Sequence, residues 1–454
     1  MDAALVTGWE TLCQLLGTAF TRPTFTTFLH IATGWVLCRS KPTVTNLVCT
    51  IGPCLLRHAA KHWTVYERFF YRAVWSLADV SRLLLVRVVA PLVKEHAAEA
   101  VIDLALDDTT CGRCGKHVAY AGYFKDASVG NTLKKVVHWA HNWVIGCVTM
   151  RAKRWPNWVI GLPVLFALYR KRPDCDRRHP FLTRQQIAAM MIRQVHEALP
   201  DWTIRVAADG QYATQVVVAA VATTGSNLVS RLRSDAAIYA LPSAYRRGQR
   251  GPHPKKGQRL PTPKQMAARR KKGWRTVEAL IYGYRVKRQV LPVVCLWYHV
   301  GKDRPIKLLI IRDPAGKQKD DFAFCTDPAV DDAQIVERFA ARWPIEEAIH
   351  DGKQLGGFEQ VQGWCARTVQ RQAPLALVVQ TLVKVWYLKY GIHTKSAQPK
   401  GTDWTPGKDH PSYLDMLATL RRVLWDHRIN HNSTLKGRLR GIWNMLQFTL
   451  CAAA

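Results

Sequence analysis

Two aspartates stand where apolar runs give way to polar ones. Val101-Ile102-Asp103-Leu104-Ala105-Leu106 ends in Asp107-Asp108-Thr109-Thr110, and Thr203-Ile204-Arg205-Val206-Ala207-Ala208 ends in Asp209-Gly210. Both runs read as buried strands meeting loops. At such a place the strand fixes the backbone and the loop opens the side chain to a ligand. Asp108 (or its neighbour Asp107) and Asp209 are therefore candidates for chemistry, with simple turn capping as the plainer alternative for either alone. A third carboxylate comes from Phe339-Ala340-Ala341-Arg342-Trp343-Pro344-Ile345-Glu346, continuing to Lys353. On one unbroken helix, Phe339, Arg342, Glu346 and Lys353 would lie within about 60° of one another. Pro344 should kink that helix and Gly352 should weaken it. An exposed ion-pair face is the bland alternative.

Three carboxylates from separate elements suit phosphoryl transfer. That chemistry uses two divalent cations about 3.5–4 Å apart, one activating the nucleophile and one stabilising the leaving oxygen. Mg2+ (or Mn2+) prefers oxygen ligands and keeps several waters, so few protein ligands suffice. Arg342 and Lys353 beside Glu346 would hold phosphates. The chain shows neither a Walker phosphate loop nor a Ser or Cys nucleophile motif, which points to direct attack by water or a DNA hydroxyl.

The elements that must position these groups are legible in outline. Residues 8–93 read as helical. Lys116–Tyr123 and Asn142–Met150 look like strands, and Thr183 caps a helix reaching Leu199. Ala213–Ala222 suggests a helix and Asn227–Arg233 a strand. Pro242–Trp274, rich in Pro, Gly, Arg and Lys, reads as a loop. Strand-like runs resume at Val277–Val286, Leu291–Val300 and Ile306–Arg312. A long helix starts at Asp331, and 373–390 and 413–449 are helical. The order is that of a mixed α/β catalytic domain with a β-rich insertion and helical ends.

The 454 residues carry 65 Lys+Arg against 33 Asp+Glu, a formal charge of +32, so a polyanionic partner is expected. The charge is uneven. Residues 246–275 hold 12 basic and no acidic residues, while 24 of the 33 carboxylates lie outside this stretch and outside the two ends, 1–95 and 366–454. The basic stretch, with Arg246, Arg247, Lys255, Lys256, Arg269, Arg270, Lys271 and Lys272, should grip phosphates without reading sequence. Trp274 or Trp297 is a candidate to stack on an unpaired base. No apolar run spans a bilayer; Val159–Tyr169 is too short. The start lacks the features of a signal peptide, so a cytoplasmic protein with reduced thiols is expected. Cys111 and Cys114 have zinc-ligand spacing, with Cys175 and His179 as distant partners; ordinary thiols are the simpler reading. His138 and His141 read as packed rather than ligating.

At these residues the chain resembles the DDE transposases of bacterial insertion sequences, in the cut-and-paste group with a β-rich insertion. The signature Tyr-x2-Arg-x3-Glu-x6-Lys appears as Phe339, Arg342, Glu346 and Lys353, and Arg342-Trp343-Pro344-Ile345-Glu346 matches Arg-Trp-x-Ile-Glu. The resemblance implies an RNase H-like catalytic domain at 96–365 with an insertion at about 236–312. It implies a helical DNA-binding region at 1–95 and a helical assembly region at 366–454. It assigns Asp108, Asp209 and Glu346 as the metal-binding catalytic triad, with two Mg2+ or Mn2+ ions. Arg342, Lys353 and Phe339 would contact the DNA. The implied partners are double-stranded transposon ends and target DNA in a homodimeric synaptic complex, with no membrane, on the bacterial nucleoid. Two departures bear on a hairpin step: Phe339 replaces Tyr, and Asp209 lies in Asp-Gly-Gln-Tyr. Rival readings are a catalytically silent DNA-binding derivative and an RNase H-like nuclease without strand transfer.

Overall fold

The computed structural model describes residues 2–51, 61–125, 136–243, 253–394 and 408–431. Six helices open the chain: α1 (Asp2–Gln14), α2 (Arg22–Leu37), α3 (Val44–Ile51), α4 (Trp63–Tyr71), α5 (Leu77–Leu83) and, after a π-helical turn, α6 (Ala90–His96). Strands β1 (Val101–Gly112), β2 (Gly122–Lys125), β3 (Val137–Ala152) and β4 (Trp155–Tyr169) follow. Next come α7 (Arg184–Ala198), β5 (Thr203–Ala208), α8 (Gln215–Thr223), β6 (Asn227–Arg231) and α9 (Pro263–Arg269). β7 (Arg275–Ile281), β8 (Tyr284–Leu296), the single turn α10 (Tyr298–Gly301), β9 (Pro305–Arg312) and β10 (Asp321–Cys325) form the next block. The chain closes with α11 (Asp332–Ala340), α12 (Pro344–Gln354), α13 (Ala366–Lys389) and α14 (Tyr413–His431).

All ten strands share one mixed sheet, in the order β2-β3-β1-β5-β6-β10-β9-β8-β7, with β4 on β3. β1, β5 and β6 run parallel; β3 is antiparallel to β1 and to β4. β3 is buried continuously from Ala140 to Met150 because both sheet faces are covered there. In β1, alternation puts Ile102, Leu104 and Leu106 on one face and Asp103, Ala105 and Asp107 on the other. The first face meets α7 and α8; the second meets α11 and α12. α7 starts where Thr183 and Gln186 form a reciprocal capping box.

The helical ends, read from sequence as separate regions, pack into one bundle around the buried α13. Trp386 Nε1 donates to the Leu5 carbonyl at 2.9 Å, and Arg371 donates to the Ala73 carbonyl at 2.9 Å. Arg421 of α14 donates to the carbonyls of Val36 and Cys38 at 2.6 and 2.9 Å. α13 also grips the edge of the sheet: Lys384 Nζ donates to the Gly161 carbonyl at 3.0 Å and Thr381 to that of Pro163 at 2.7 Å. None of the described helices is long and apolar enough to cross a membrane.

Several elements differ from the sequence reading. The apolar run at 159–169 is the inner part of β4, whose Pro163 sits at a register shift opposite Gly146 and Cys147, where no ladder donor is required. The strand expected at 116–123 is largely loop, with Tyr120 at φ 64°, and β2 begins only at Gly122. The run 277–286 is a hairpin, turning at Tyr282 and Gly283 with φ 50° and 89°, a two-residue turn that matches strand twist. Leu291–Val300 ends as a strand at Leu296 and closes with α10. The single long helix from Asp331 is two helices, because Pro344 lacks the N–H to continue α11 and instead opens α12.

His141 on β3 is fully buried. Arg113 Nε donates to its Nδ1 at 2.9 Å, and its Nε2 lies 2.8 Å from the Ala119 carbonyl. Burial, reinforced by the Arg113 charge, pushes its pKa down from 6.5 to about 4. The unfolded chain therefore takes up this proton first as pH falls, so the fold loses stability between pH 6.5 and about 4. The expected loss is at most about 3 kcal/mol. Urea titrations of His141→Asn across that window should show a smaller change in stability with pH than the parent. An identical pH slope would contradict this role.

Candidate active site

The strand register brings the two aspartates together. Leu106 of β1 is level with Ala208 of the parallel β5, so Asp107 and Asp209 come next, side by side at the same rim. Leu106 and Ala208 bury into the α7/α8 face, which sends Asp107 and Asp209 toward the face covered by α12. α12 approaches closely because Gly161 of β4 has no side chain; a Cβ there would stand 2.5 Å from the Pro344 carbonyl oxygen.

One guanidinium joins strand to helix. Arg342 Nη1 lies 3.0 Å from Asp107 Oδ2, and Nη2 lies 2.5 Å from Glu346 Oε1. Burial pushes the Asp107 carboxyl up to about 7. Arg342 and the Asp108 N–H oppose that rise, while the charges of Asp108 and Asp209 add to it. Burial works against the Arg342 charge too, but Asp107, Glu346 and Asp209 outweigh it and raise its pKa.

Asp108, the first choice from sequence, points the other way. Its side chain is 7% exposed. It accepts hydrogen bonds from Asn142 Nδ2 at 2.7 Å, Arg184 Nη1 at 2.8 Å, Tyr212 Oη at 3.0 Å and Gln211 Nε2. Strand alternation assigns it to the α7 face, and Asp107 rather than Asp108 meets Arg342. None of the four partners of Asp108 was singled out from sequence.

The other sequence-selected residues separate into two groups. Arg342 and Glu346 meet as expected, although the helix is broken between them and Phe339. Phe339 lies on α11, half-buried against the cluster of Val277, Ile281 and Ile335, with Arg231 over its ring at 5.9 Å. Lys353 is engaged by protein: its Nζ donates to the Thr110 carbonyl at 2.7 Å and pairs with Glu359 at 3.0 Å. Lys255, Lys256, Arg269, Arg270, Lys271 and Lys272 are exposed, and Arg246 and Arg247 lie outside the described residues. Trp274 has Arg312 over its ring at 4.2 Å, and Trp297 makes an edge contact with Phe324 at 5.4 Å. The exposed aromatics near the carboxylates are instead Trp343 and Tyr282, in edge contact at 5.9 Å. Cys111 is buried, with its thiol pushed up to about 12 by burial, and Cys114 is exposed.

Among the described residues, no three His, Cys, Asp or Glu side chains stand close enough to hold one metal ion. The donor chemistry nevertheless fits a divalent cation. Carboxylate oxygens at two strand ends and a helix are the ligands that hard cations take. Burial raises the pKa of Asp107 to about 7, with smaller contributions from the charges of Asp108 and Asp209. Arg342 occupies the space between two of the carboxylates.

The family model described as "DDE superfamily endonuclease" matches residues 15–285, more than half of the chain. The chain therefore belongs to the DDE superfamily endonucleases. The matched stretch includes Asp107, Asp108 and Asp209 and ends before Arg342 and Glu346. In overall shape the chain is weakly similar to the piggyBac transposase of a cryo-EM synaptic complex with hairpin DNA. The TM-score is 0.41 and the identity 10%, over 97% of this chain and 82% of that one. No curated protein matches the sequence.

The two neighbouring aspartates should behave oppositely on substitution. Asp108→Ala strands Arg184 and three other donors, at an expected cost of about 3–5 kcal/mol. Asp107→Asn removes a carboxyl whose ionisation at pH 8 costs the fold stability, because its pKa is raised to about 7, and should leave stability at pH 8 equal or higher. Urea unfolding of both variants at pH 8 checks this; a larger loss for Asp107→Asn would reverse the assignment of faces.

Proposed function

We propose that this protein is a DNA transposase that cleaves transposon ends and joins them to target DNA by cut-and-paste transposition. The observation that carries the reading is the convergence of Asp107 and Glu346 on Arg342, with Asp209 beside Asp107, in a DDE superfamily endonuclease. The strand order β4-β3-β1-β5-β6, with β3 alone antiparallel among the five, supports an RNase H-like core. β7 to β10 then read as the β-rich insertion, which extends that sheet beyond β6.

In this reading Asp107, Asp209 and Glu346 hold two Mg2+ or Mn2+ ions, which supply activation of the nucleophile and charge stabilisation at the leaving oxygen. Arg342 holds the scissile phosphate's neighbourhood as well as the carboxylates. Lys353 positions α12 through Thr110 and Glu359 rather than touching DNA first. The exposed cations at Lys255, Lys256 and 269–272 supply sequence-independent grip. The synaptic homodimer belongs to the same reading.

The test is a cleavage and joining assay with Mg2+ and the DNA that flanks this gene. Asp107→Asn, Asp209→Asn and Glu346→Gln should each lower cleavage by three orders of magnitude or more, on the order of the loss when a transition-state group is removed. Duplex binding should persist in all three. Cleavage without joined product would favour a nuclease, and equal cleavage by parent and variants would sink the triad. Mn2+ should also raise the melting temperature of the parent more than that of Asp107→Asn.

A further inference from the structure

The end of β4 carries three consecutive cations, each held against an aromatic ring from another segment. Arg170 lies over Tyr120 at 4.4 Å, Lys171 over Phe124 at 4.9 Å and Arg172 over Phe181 at 4.4 Å. The rings connect inward: Phe124 and Phe181 each contact Tyr169 at 6.1 Å, and Arg184 lies over Tyr169 at 5.7 Å. Arg184 is the partner of Asp108. The contacts of Phe124 and Phe181 thus lead through Tyr169 to Arg184 and Asp108, on the α7 face of the sheet. Tyr169 and Thr110 flank the same β3 residue, Asn142, three residues along β1 from Asp107. With strands about 4.8 Å apart, Tyr169 stands about 10 Å from Thr110 along the rim.

The charge on this ladder is not spent within the protein. Among the described residues, Arg170, Lys171 and Arg172 have no ion pair. Arg170 donates to the neutral Gln370 at 3.0 Å, and Lys171 to the Tyr123 carbonyl at 2.8 Å. Stacking fixes the side chains without neutralising them, which lowers the entropy lost when a phosphate docks. Exposed Arg177 and Arg178 follow in the next loop.

We infer that the Arg170–Arg172 ladder is a binding track for the phosphate backbone of double-stranded DNA, on the side of the sheet that carries Arg184 and Asp108. It rests on the proposed function, and it adds a DNA surface formed by β4 to the basic stretch before β7. The probe is a fluorescent 30-base-pair duplex, titrated by anisotropy over a salt series in EDTA, so that binding is read without cleavage. Replacing Arg170, Lys171 and Arg172 together by Gln should weaken binding roughly tenfold and lower the salt slope by about 2–3. Arg170→Lys with Arg172→Lys keeps the charge and should keep most of the slope, with circular dichroism confirming the fold of each variant. Arg233→Gln, which removes a cation already paired with Asp235, should change neither quantity. An unchanged slope in a folded triple variant overturns the track, as does loss of single-stranded RNA binding with duplex binding intact. Failure of the parent to bind duplex at all would instead sink the transposase reading.

Discussion

The structure depends on how negative charge is held at the rim of the sheet. Asp107 and Asp209 are adjacent through the backbone register, and Glu346 arrives from a helix. Burial strips hydration from this place, which is the main reason the Asp107 carboxyl is pushed up to about 7, and the charges of Asp108 and Asp209 add to it. Arg342 offsets this by reaching two of them at once. Its reach comes from the break between α11 and α12. On a straight helix, Arg342 and Glu346 would share a face but the backbone would be committed to one axis. Pro344 ends that commitment, so the 341–343 turn can lean toward β1 while α12 carries Glu346 along β4.

The rest of the fold keeps α12 in place. Gly161 removes the side chain that would hold it off. Gln380 of α13 donates to the Ala348 carbonyl at 3.0 Å, and Lys384 and Thr381 fix the strand beneath. Lys384 is fully buried and its pKa is lowered by that burial, with Asp351, Cys147 and Glu347 opposing the shift. The helical ends matter to the site by the same route, since they enclose α13. Trp35 of α2 donates to the Gly356 carbonyl at 2.8 Å, just beyond α12.

Much of this was legible in the residues. Asp209 at the end of β5, the strands before the last carboxylate and the contact of Arg342 with Glu346 follow from local pattern; Asp107 and Asp108, expected at a strand end, lie inside β1, which pairs with β3 as far as Gly112. Parity also separates the two aspartates: Ile102, Leu104 and Leu106 are the large apolar residues, so Asp108 shares their face and Asp107 does not. What the sequence hid were long-range partners. Arg184, Asn142 and the adjacent pair Gln211 and Tyr212 reach Asp108 from three different elements, and nothing local marks them as its partners. β4 was hidden because Gly161 and Pro163 break strand patterning, although both are used where the sheet edge and α12 require them. The packing of both helical ends into one core was equally invisible to periodicity.

The cations then divide by what surrounds them. Arg205, Arg231, Arg312 and Arg342 each face a carboxylate at 3.0 Å or less and serve the fold or the site. Those at 170–172 face rings, and those at 269–272 face solvent. A net charge of +32 spread over paired groups would leave little field outside the protein. Here several carboxylates pair with arginines, while two outward surfaces carry cations without a carboxylate partner among the described residues. One precedes β7 and the other ends β4, on opposite sides of β1 in the strand order. A polyanion held by both would cross the rim where Asp107, Asp209 and Glu346 converge. In the proposed reading the same segregation would direct the substrate, because long-range attraction acts through charges the fold has left uncompensated.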